Sequence, residues 1–349
     1  DVYKRQLFRL FKSGELASAS DMGEVPAVVN WRDLTRNDGN FTQAIVSPDQ
    51  DIALLQYTGG TTGTPKGAML THSNLTINVE QIIQWAGSMN LEKERVMGIL
   101  PFFHVFAMTT VLNFGIRTGS LMILMPKFDI DQAVTLIRKG KPTIFPGVPT
   151  LYNALLNHGG LKQEDLSSLK LCISGVAPLP IDIRREFEAF SGCKLVEGYG
   201  LSETAPVASV NPIIGLEKEN SIGQPVGNTY LSIRSLEDST KVMPLNEPGE
   251  ICIKGPQVMP GYWNKPEETA DTFVGDYFKT GDVGYMDEDG FTFIIDRIKD
   301  MINCSGYKVY PRRIEDAIYA HPAVHEVTVV GIPDEYRGEA PKAFIKLKP

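Results

Sequence analysis

The spacing of apolar residues changes twice along this chain. From residue 52 to about Pro206, short apolar runs alternate with stretches of helical period. Runs at 52–57, 96–100, 121–125, 143–145, 169–174 and 194–197 predict strands, the first of them buried. Residues 130–139, 149–157 and 180–190 predict helices, and Thr71-His72-Ser73-Asn74 offers capping groups for another that reaches about Gly87. Such alternation predicts an α/β domain, a mostly parallel sheet with helices on both faces. After about Pro206 short strands and Gly/Pro turns take over, as in Gly249-Glu250-Ile251-Cys252-Ile253-Lys254-Gly255. That pattern predicts a β-rich subdomain over about 207–295. A third unit begins near Asp296, with a strand, a helix over 311–320 and strands over 324–332 and 343–347. The expected organisation is therefore a portion of a large domain over 7–295, then the start of a small α+β domain over 296–349 that is incomplete within these residues.

Length and composition narrow this picture without deciding it. The chain has 349 residues, enough for more than one domain. Its formal charge of −8 argues against general nucleic-acid binding and shows no polybasic anchor. Cys172, Cys193, Cys252 and Cys304 are widely spaced and form no metal-ligand pattern, so reduced thiols in a cytoplasmic protein are expected. The best candidate for a membrane span, 105–125, is interrupted by Arg117 and polar neighbours. A looser contact with the inner face of a membrane and self-association both stay open. Asp1-Val2-Tyr3-Lys4-Arg5-Gln6 back-translates to a string that resembles a transposon end used in sequencing libraries, and residues 1–6 are expected to be translated adapter. The other reading of them is a basic surface segment.

Candidate chemistry starts in Tyr57-Thr58-Gly59-Gly60-Thr61-Thr62-Gly63-Thr64-Pro65-Lys66-Gly67. Glycines expose backbone N–H groups, threonines add hydroxyl donors and Lys66 adds charge, which is the composition of a phosphate cradle. It is not a Walker A loop, because Pro65 and Gly67 flank Lys66. A mobile surface loop is the plainer reading. Further along come Leu100-Pro101-Phe102-Phe103-His104, Ser174-Gly175-Val176-Ala177-Pro178-Leu179, Tyr199-Gly200-Leu201-Ser202-Glu203-Thr204, Tyr277-Phe278-Lys279-Thr280-Gly281-Asp282, and Asp296-Arg297-Ile298-Lys299 followed by Ser305-Gly306-Tyr307-Lys308. Taken singly, His104 reads as a hydrogen-bonded core residue, Glu203 as a loop carboxylate, Thr280-Gly281-Asp282 as a turn and Asp296–Lys299 as a charged patch.

Together and in this order, these segments resemble the adenylate-forming superfamily, which holds acyl-CoA synthetases, firefly luciferase and the adenylation domains of peptide synthetases. The resemblance implies that Thr58, Gly59, Gly60, Thr61, Thr62, Gly63, Thr64 and Lys66 bind the ATP phosphates. It implies that Gly175, Tyr199 and Gly200 shape the adenine and acyl pocket, that Ser202 reaches phosphate, and that Glu203 holds Mg²⁺, an ion suited to carboxylate and phosphate oxygens. Asp282 would accept from the ribose hydroxyls, and Arg297 would contact the nucleotide. His104 would line the acyl and thioester channel, Lys299 would be the interdomain pivot, and Gly306 would let the pantetheine arm of CoA pass. Arg313 stands where the family usually has Glu, so no role is carried to it.

Leu55-Gln56-Tyr57-Thr58-Gly59-Gly60, the segment 100–108 and Gly147-Val148-Pro149-Thr150-Leu151-Tyr152-Asn153-Ala154-Leu155-Leu156 are similar to bacterial long-chain fatty acyl-CoA synthetases. The last would lay an apolar helix beside an acyl tunnel; the alternative for it is core packing. The implied reaction joins a fatty acid to CoA through acyl-AMP, with ATP consumed and pyrophosphate and AMP released. The family's adenylating lysine, in a Pro-x-x-x-x-Gly-Lys run, has no counterpart after the hinge segment. Little or no adenylation is thus expected of this chain alone. Two other readings remain: a nucleotide-binding remnant without catalysis, and adenylation of another carboxylic or amino acid.

Overall fold

The computed structural model describes residues 36, 44–58, 65–87 and 89–348, and every element below lies in the unit Ser47–Pro349. Strand β1 (Ile52–Thr58) pairs antiparallel with β2 (Lys66–Thr71), so the Gly/Thr segment joins two strands of a hairpin. The sequence reading placed it between a strand and a helix, and expected β1 to be buried. Instead β1 is half-buried: Ile52 and Tyr57 are exposed, while Leu54 packs on Ala68 and Leu70. Gly59–Thr64 themselves lie outside the described residues. Helix α1 (His72–Ala86) starts at the expected cap. Thr71 Oγ1 accepts the Asn74 N–H at 3.1 Å, and Asn74 Oδ1 accepts the Thr71 N–H at 2.9 Å.

The central sheet follows. Strands β3 (Arg95–Gly98), β4 (Leu121–Leu124), β5 (Ile144–Gly147), β6 (Leu171–Ser174) and β7 (Lys194–Gly200) run parallel in the order β4-β3-β5-β6-β7. Successive side chains point to opposite faces. Val96, Ile144, Leu171, Ile173 and Val196 join one core with Ile82 of α1 and with Phe106, Val111 and Phe114. Met97, Phe145, Cys172 and Leu195 join a second core on the other face. That second core is closed by α3 (Ile130–Gly140), α4 (Pro149–Leu156) and α5 (Ile181–Ser191). The helical segment between α1 and α3 in sequence, α2 (105–118), runs through Val105–Ala107, a wide π stretch over Met108–Asn113, and Phe114–Thr118. Both faces of the sheet are therefore covered by helices, as the strand–helix alternation predicted. Among the described residues no helix is long and apolar enough to cross a membrane.

Strands follow residue 206 as expected, but β8 (Val207–Val210) and β9 (Gln224–Pro225) extend the first sheet antiparallel beyond β7. A second, antiparallel sheet comprises β10 (Tyr230–Arg234), β11 (Gly249–Lys254), β12 (Phe273–Val274), β13 (Tyr277–Met286) and β14 (Thr292–Arg297), with α6 (Pro266–Thr272) beside it. The strand predicted at Asp296 is the end of β14, since Asp296 pairs with Val283 and Arg297 with Asp282. A third sheet, ordered β16-β15-β18-β17, uses β15 (Ile302–Cys304), β16 (Tyr307–Val309), β17 (Val324–Asp334) and β18 (Gly338–Leu347). Helix α7 (Pro311–Tyr319) packs against β17.

Tyr152 ties α4 to the sheet. Its hydroxyl lies 2.7 Å from the Phe145 carbonyl and 3.0 Å from that of Ile173, on two neighbouring strands, and the residue is fully buried. Tyr152→Phe removes the donor and leaves the carbonyls short of a partner, so urea unfolding should show a loss of about 1–3 kcal/mol.

Candidate active site

The carboxyl ends of β6 and β7 open into a gap that backbone geometry creates. At the end of β7 the chain folds back on itself. Leu201 N–H donates to the Pro206 carbonyl at 3.1 Å, and a Cβ on Gly200 would stand 1.8 Å from that same oxygen. Only glycine allows this approach. The fold-back presents Ser202 and Glu203 on a short turn. After β6, Gly175 lets the Phe106 ring come close, at 3.3 Å from where a Cβ would sit. Val176 follows with φ +73, a strained conformation for a β-branched residue, and its side chain is exposed at the gap.

The gap is a cavity of about 260 Å³. Ile82, Trp85, Val105, Phe106, Ile173, Val207 and Val210 form its apolar part, and His104, Tyr199, Ser202, Glu203 and Arg297 bring polar groups to it. His104 caps α2: its Nδ1 accepts the Phe106 N–H at 3.2 Å, which leaves any proton of a neutral ring on Nε2. Partial burial lowers the His104 pKa below the ordinary 6.5.

Two linked groups extend the polar end. Tyr199 donates its hydroxyl to Asp282 Oδ2 at 2.5 Å, and Arg297 Nε stands 3.6 Å from Asp282 Oδ1. Burial pushes Asp282 above the usual carboxylate range, while the Tyr199 hydroxyl and the charges of Arg297 and Lys299 pull it back. Tyr262 donates to Glu203 Oε1 at 2.8 Å, and Lys66 Nζ lies 5.2 Å from the centre of the Tyr262 ring. Glu203 is 8% exposed, and burial raises its pKa against the opposing pull of Tyr262 and Lys66. Among the described residues no three His, Cys, Asp or Glu side chains gather as a cage for a cation. A lone buried carboxylate fits Mg²⁺ nonetheless, because that ion takes one or two carboxylates and completes its shell with phosphate oxygens and water.

An AMP-binding enzyme profile matches residues 11–263, and a profile of the AMP-binding enzyme C-terminal domain matches 313–349. The chain belongs to the AMP-binding enzyme family. It is 52% identical over 303 residues to a long-chain-fatty-acid–CoA ligase of Bacillus subtilis, covering 87% of this chain and 54% of that one. It is 36% identical over 332 residues to 4-coumarate–CoA ligase 1 of Arabidopsis thaliana, covering 91% and 58%. Thus it spans little more than half the length of these relatives. Among solved structures it is similar to ATP-bound MatB from Rhodopseudomonas palustris, with TM-score 0.81, 35% identity, and 88% and 60% of the two chains covered. It is also similar to o-succinylbenzoate CoA synthetase of Bacillus subtilis in complex with ATP and magnesium ion, with TM-score 0.79, 29% identity, and coverage of 91% and 65%.

In this member of the family His104, Gly175, Tyr199, Gly200, Ser202, Glu203 and Arg297 line one cavity, although they come from four separate segments of sequence. Asp282 joins it at one remove, through Tyr199, and Lys66 at two, through Tyr262 and Glu203. Thr58 ends β1, its Oγ1 donating to the Lys66 carbonyl at 3.4 Å. Gly59, Gly60, Thr61, Thr62, Gly63 and Thr64 lie outside the described residues. Lys299 sits in the turn Ile298–Asp300 between the second and third sheets. Gly306 is in the two-residue turn joining β15 to β16, where Ser305 has φ 53 and Gly306 φ 83. Positive φ at both places is a type I′ hairpin turn, which by itself selects glycine. Neither Lys299 nor Gly306 lines the cavity. The predicted placement of α4 beside an acyl tunnel is corrected: Leu151, Tyr152 and Leu155 are core on the opposite face of the sheet. Sequence reasoning missed Ile82, Trp85, Thr110 and Tyr262. The Ile82–Trp85 spacing on one face of α1 was the available signal; nothing local marked Tyr262.

Glu197, two residues before Tyr199, accepts the Leu179 N–H at 3.3 Å, and burial pushes its carboxyl up to about 7 against the pull of that bond, Arg312 and Arg184. The unfolded carboxyl titrates near 4.5, so between these pH values the native state binds more protons and loses stability as pH rises. Urea unfolding of Glu197→Gln should match wild type near pH 4.5. Above pH 7 the variant should be the more stable, by roughly 3 kcal/mol at most.

Proposed function

We propose that the protein carrying this chain activates a long-chain fatty acid with ATP and passes the acyl group to CoA. One observation carries the reading: an apolar cavity floor runs up to a polar end where a buried carboxylate, a lysine and an arginine–aspartate pair converge. The likeness to bacterial long-chain-fatty-acid–CoA ligases supports this substrate over 4-coumarate, because the identity is 52% against 36%.

In this reading the acyl chain lies against Ile82, Trp85, Phe106, Val207 and Val210, which remain out of water. The fatty carboxylate attacks the α-phosphate of ATP, forming acyl-AMP and releasing pyrophosphate. Lys66 and the threonine loop hold the β- and γ-phosphates, and Arg297 and Ser202 face the nucleotide. Asp282 accepts from the ribose hydroxyls, which an ionised carboxylate is suited to do. Mg²⁺, held by Glu203, would neutralise phosphate charge. The CoA thiol then attacks the acyl carbonyl near His104, and AMP leaves. Residues 296–349 are read as the start of a small domain that turns about Lys299, with Gly306 beside the path of CoA. Positioning and charge neutralisation are the main sources of rate in such transfers. A cytoplasmic setting is part of the proposal, since all four cysteines are free.

The test grafts residues 47–349 into the Bacillus subtilis ligase in place of its matching segment and measures ATP–pyrophosphate exchange. Palmitate should drive exchange well above acetate, 4-coumarate or mixed amino acids. Exchange on another acid alone would keep the adenylating chemistry and overturn the substrate. In the same protein Asp282→Asn should weaken AMP binding about ten-fold or more in calorimetric titration, since it weakens charged hydrogen bonds to two hydroxyls.

A further inference from the structure

One aromatic side chain touches both charged groups at the polar end of the cavity. Tyr262 donates its hydroxyl to Glu203 Oε1 at 2.8 Å, while its ring face carries Lys66 Nζ at 5.2 Å from the centroid. The residue is 8% exposed, so neither contact is a casual surface encounter. Its backbone is pinned on both sides. Met69 N–H donates to the Gly261 carbonyl at 3.0 Å, and Trp263 N–H donates to the Gly67 carbonyl at 2.8 Å. These bonds tie residues 261–263 to β2, the strand that begins with Lys66. Tyr262 N–H in turn donates to Thr269 Oγ1 at 2.9 Å, and Lys265 N–H donates to the Tyr262 carbonyl at 3.2 Å. Two residues before the Gly261 junction, Met259 N–H donates to the Glu203 carbonyl at 2.8 Å. The short segment 259–263 is thus bonded to the lysine strand and to the carboxylate turn at once.

Gly261 is what lets this segment pass. A Cβ there would stand 2.5 Å from Thr269 Cγ2, the same threonine whose hydroxyl holds Tyr262. The tyrosine is therefore set by backbone contacts before any ligand arrives, and its two functional ends point at groups of opposite charge.

We propose that Tyr262 is a positioning residue that fixes Glu203 with its hydroxyl and Lys66 with its ring, so that both meet the polyphosphate of ATP in one arrangement. The inference rests on the nucleotide-binding reading above. It assigns the hydroxyl and the ring separate tasks. The hydroxyl occupies one carboxylate oxygen of Glu203 and aims the other. The ring gives the Lys66 ammonium a resting place that is attractive without being a salt bridge, so the lysine stays available to phosphate. AMP has no β- or γ-phosphate, and its binding should be indifferent to both tasks.

The experiment titrates the grafted ligase described above with MgATP and, separately, with AMP, for the graft with wild-type Tyr262, with Tyr262→Phe and with Tyr262→Leu. The Phe variant keeps the ring and removes the hydroxyl; the Leu variant removes both. Tyr262→Phe should weaken MgATP about ten-fold and raise the Mg²⁺ concentration needed for half-maximal ATP binding, while AMP stays within about two-fold of wild type. Tyr262→Leu should weaken MgATP further, again sparing AMP. If both variants bind MgATP as wild type does, the positioning role is overturned while the nucleotide site stands. If they lose MgATP and AMP in equal measure, Tyr262 serves only the fold and the proposal falls. If wild type binds neither nucleotide, the functional reading fails and the inference fails with it.

Discussion

Burial of both faces of the parallel sheet dictates where chemistry can occur in this chain. Val96, Ile144, Leu171 and Val196 face one core, Met97, Phe145, Cys172 and Leu195 the other, and an unpaired charge in either would be costly. The cavity's polar side chains gather beyond the carboxyl ends of the strands, where the backbone leaves the sheet. In open α/β sheets ligands bind there. The turns after β6 and β7 do this work through two glycines, 175 and 200, at which a side chain would meet Phe106 or the Pro206 carbonyl. The second sheet then contributes Asp282 and Arg297 from paired positions on neighbouring strands, a juxtaposition that the ladder itself creates.

What could be read from sequence was mostly what depends on neighbours in sequence. The Thr71 cap, the strands of the parallel sheet and the helices over 130–140 and 181–191 follow from local period and turn chemistry. The β1–β2 hairpin was not legible. Lys66-Gly67-Ala68-Met69-Leu70-Thr71 is too short to separate a strand from a run into the next helix, and its identity as a strand comes from pairing with 52–58. The apolar run of α4 is ambiguous in the same way, since a core helix and a tunnel wall need the same residues. Which face it takes is decided by Tyr152 reaching two strand carbonyls.

The candidate site was legible through resemblance of ordered segments more than through any single residue. His104, Tyr199, Ser202, Glu203 and Arg297 converge on one cavity, yet Tyr262 carries no local mark of its place, because it meets Glu203 across 59 residues of chain. The cysteines give a parallel case. Cys172 and Cys193 look unrelated in sequence, but β6 and the bend that leads into the adjacent β7 bring their sulfurs to 3.7 Å in the buried core, where both remain thiols.

The shared tyrosine bears on how this protein can change over time. Because Lys66, Glu203 and the segment around Gly261 all meet at one ring, substitutions at these places are not independent. A replacement at 67 or 261 that shifts the segment slightly would alter the carboxylate and the lysine together, and a second change that suits one would be judged by its effect on the other. Sequence drift at the polar end is therefore expected to be epistatic and conservative, whereas substitutions in the apolar floor on α1, α2 and β8 couple to one another through shared packing and leave this lysine–tyrosine–carboxylate unit untouched.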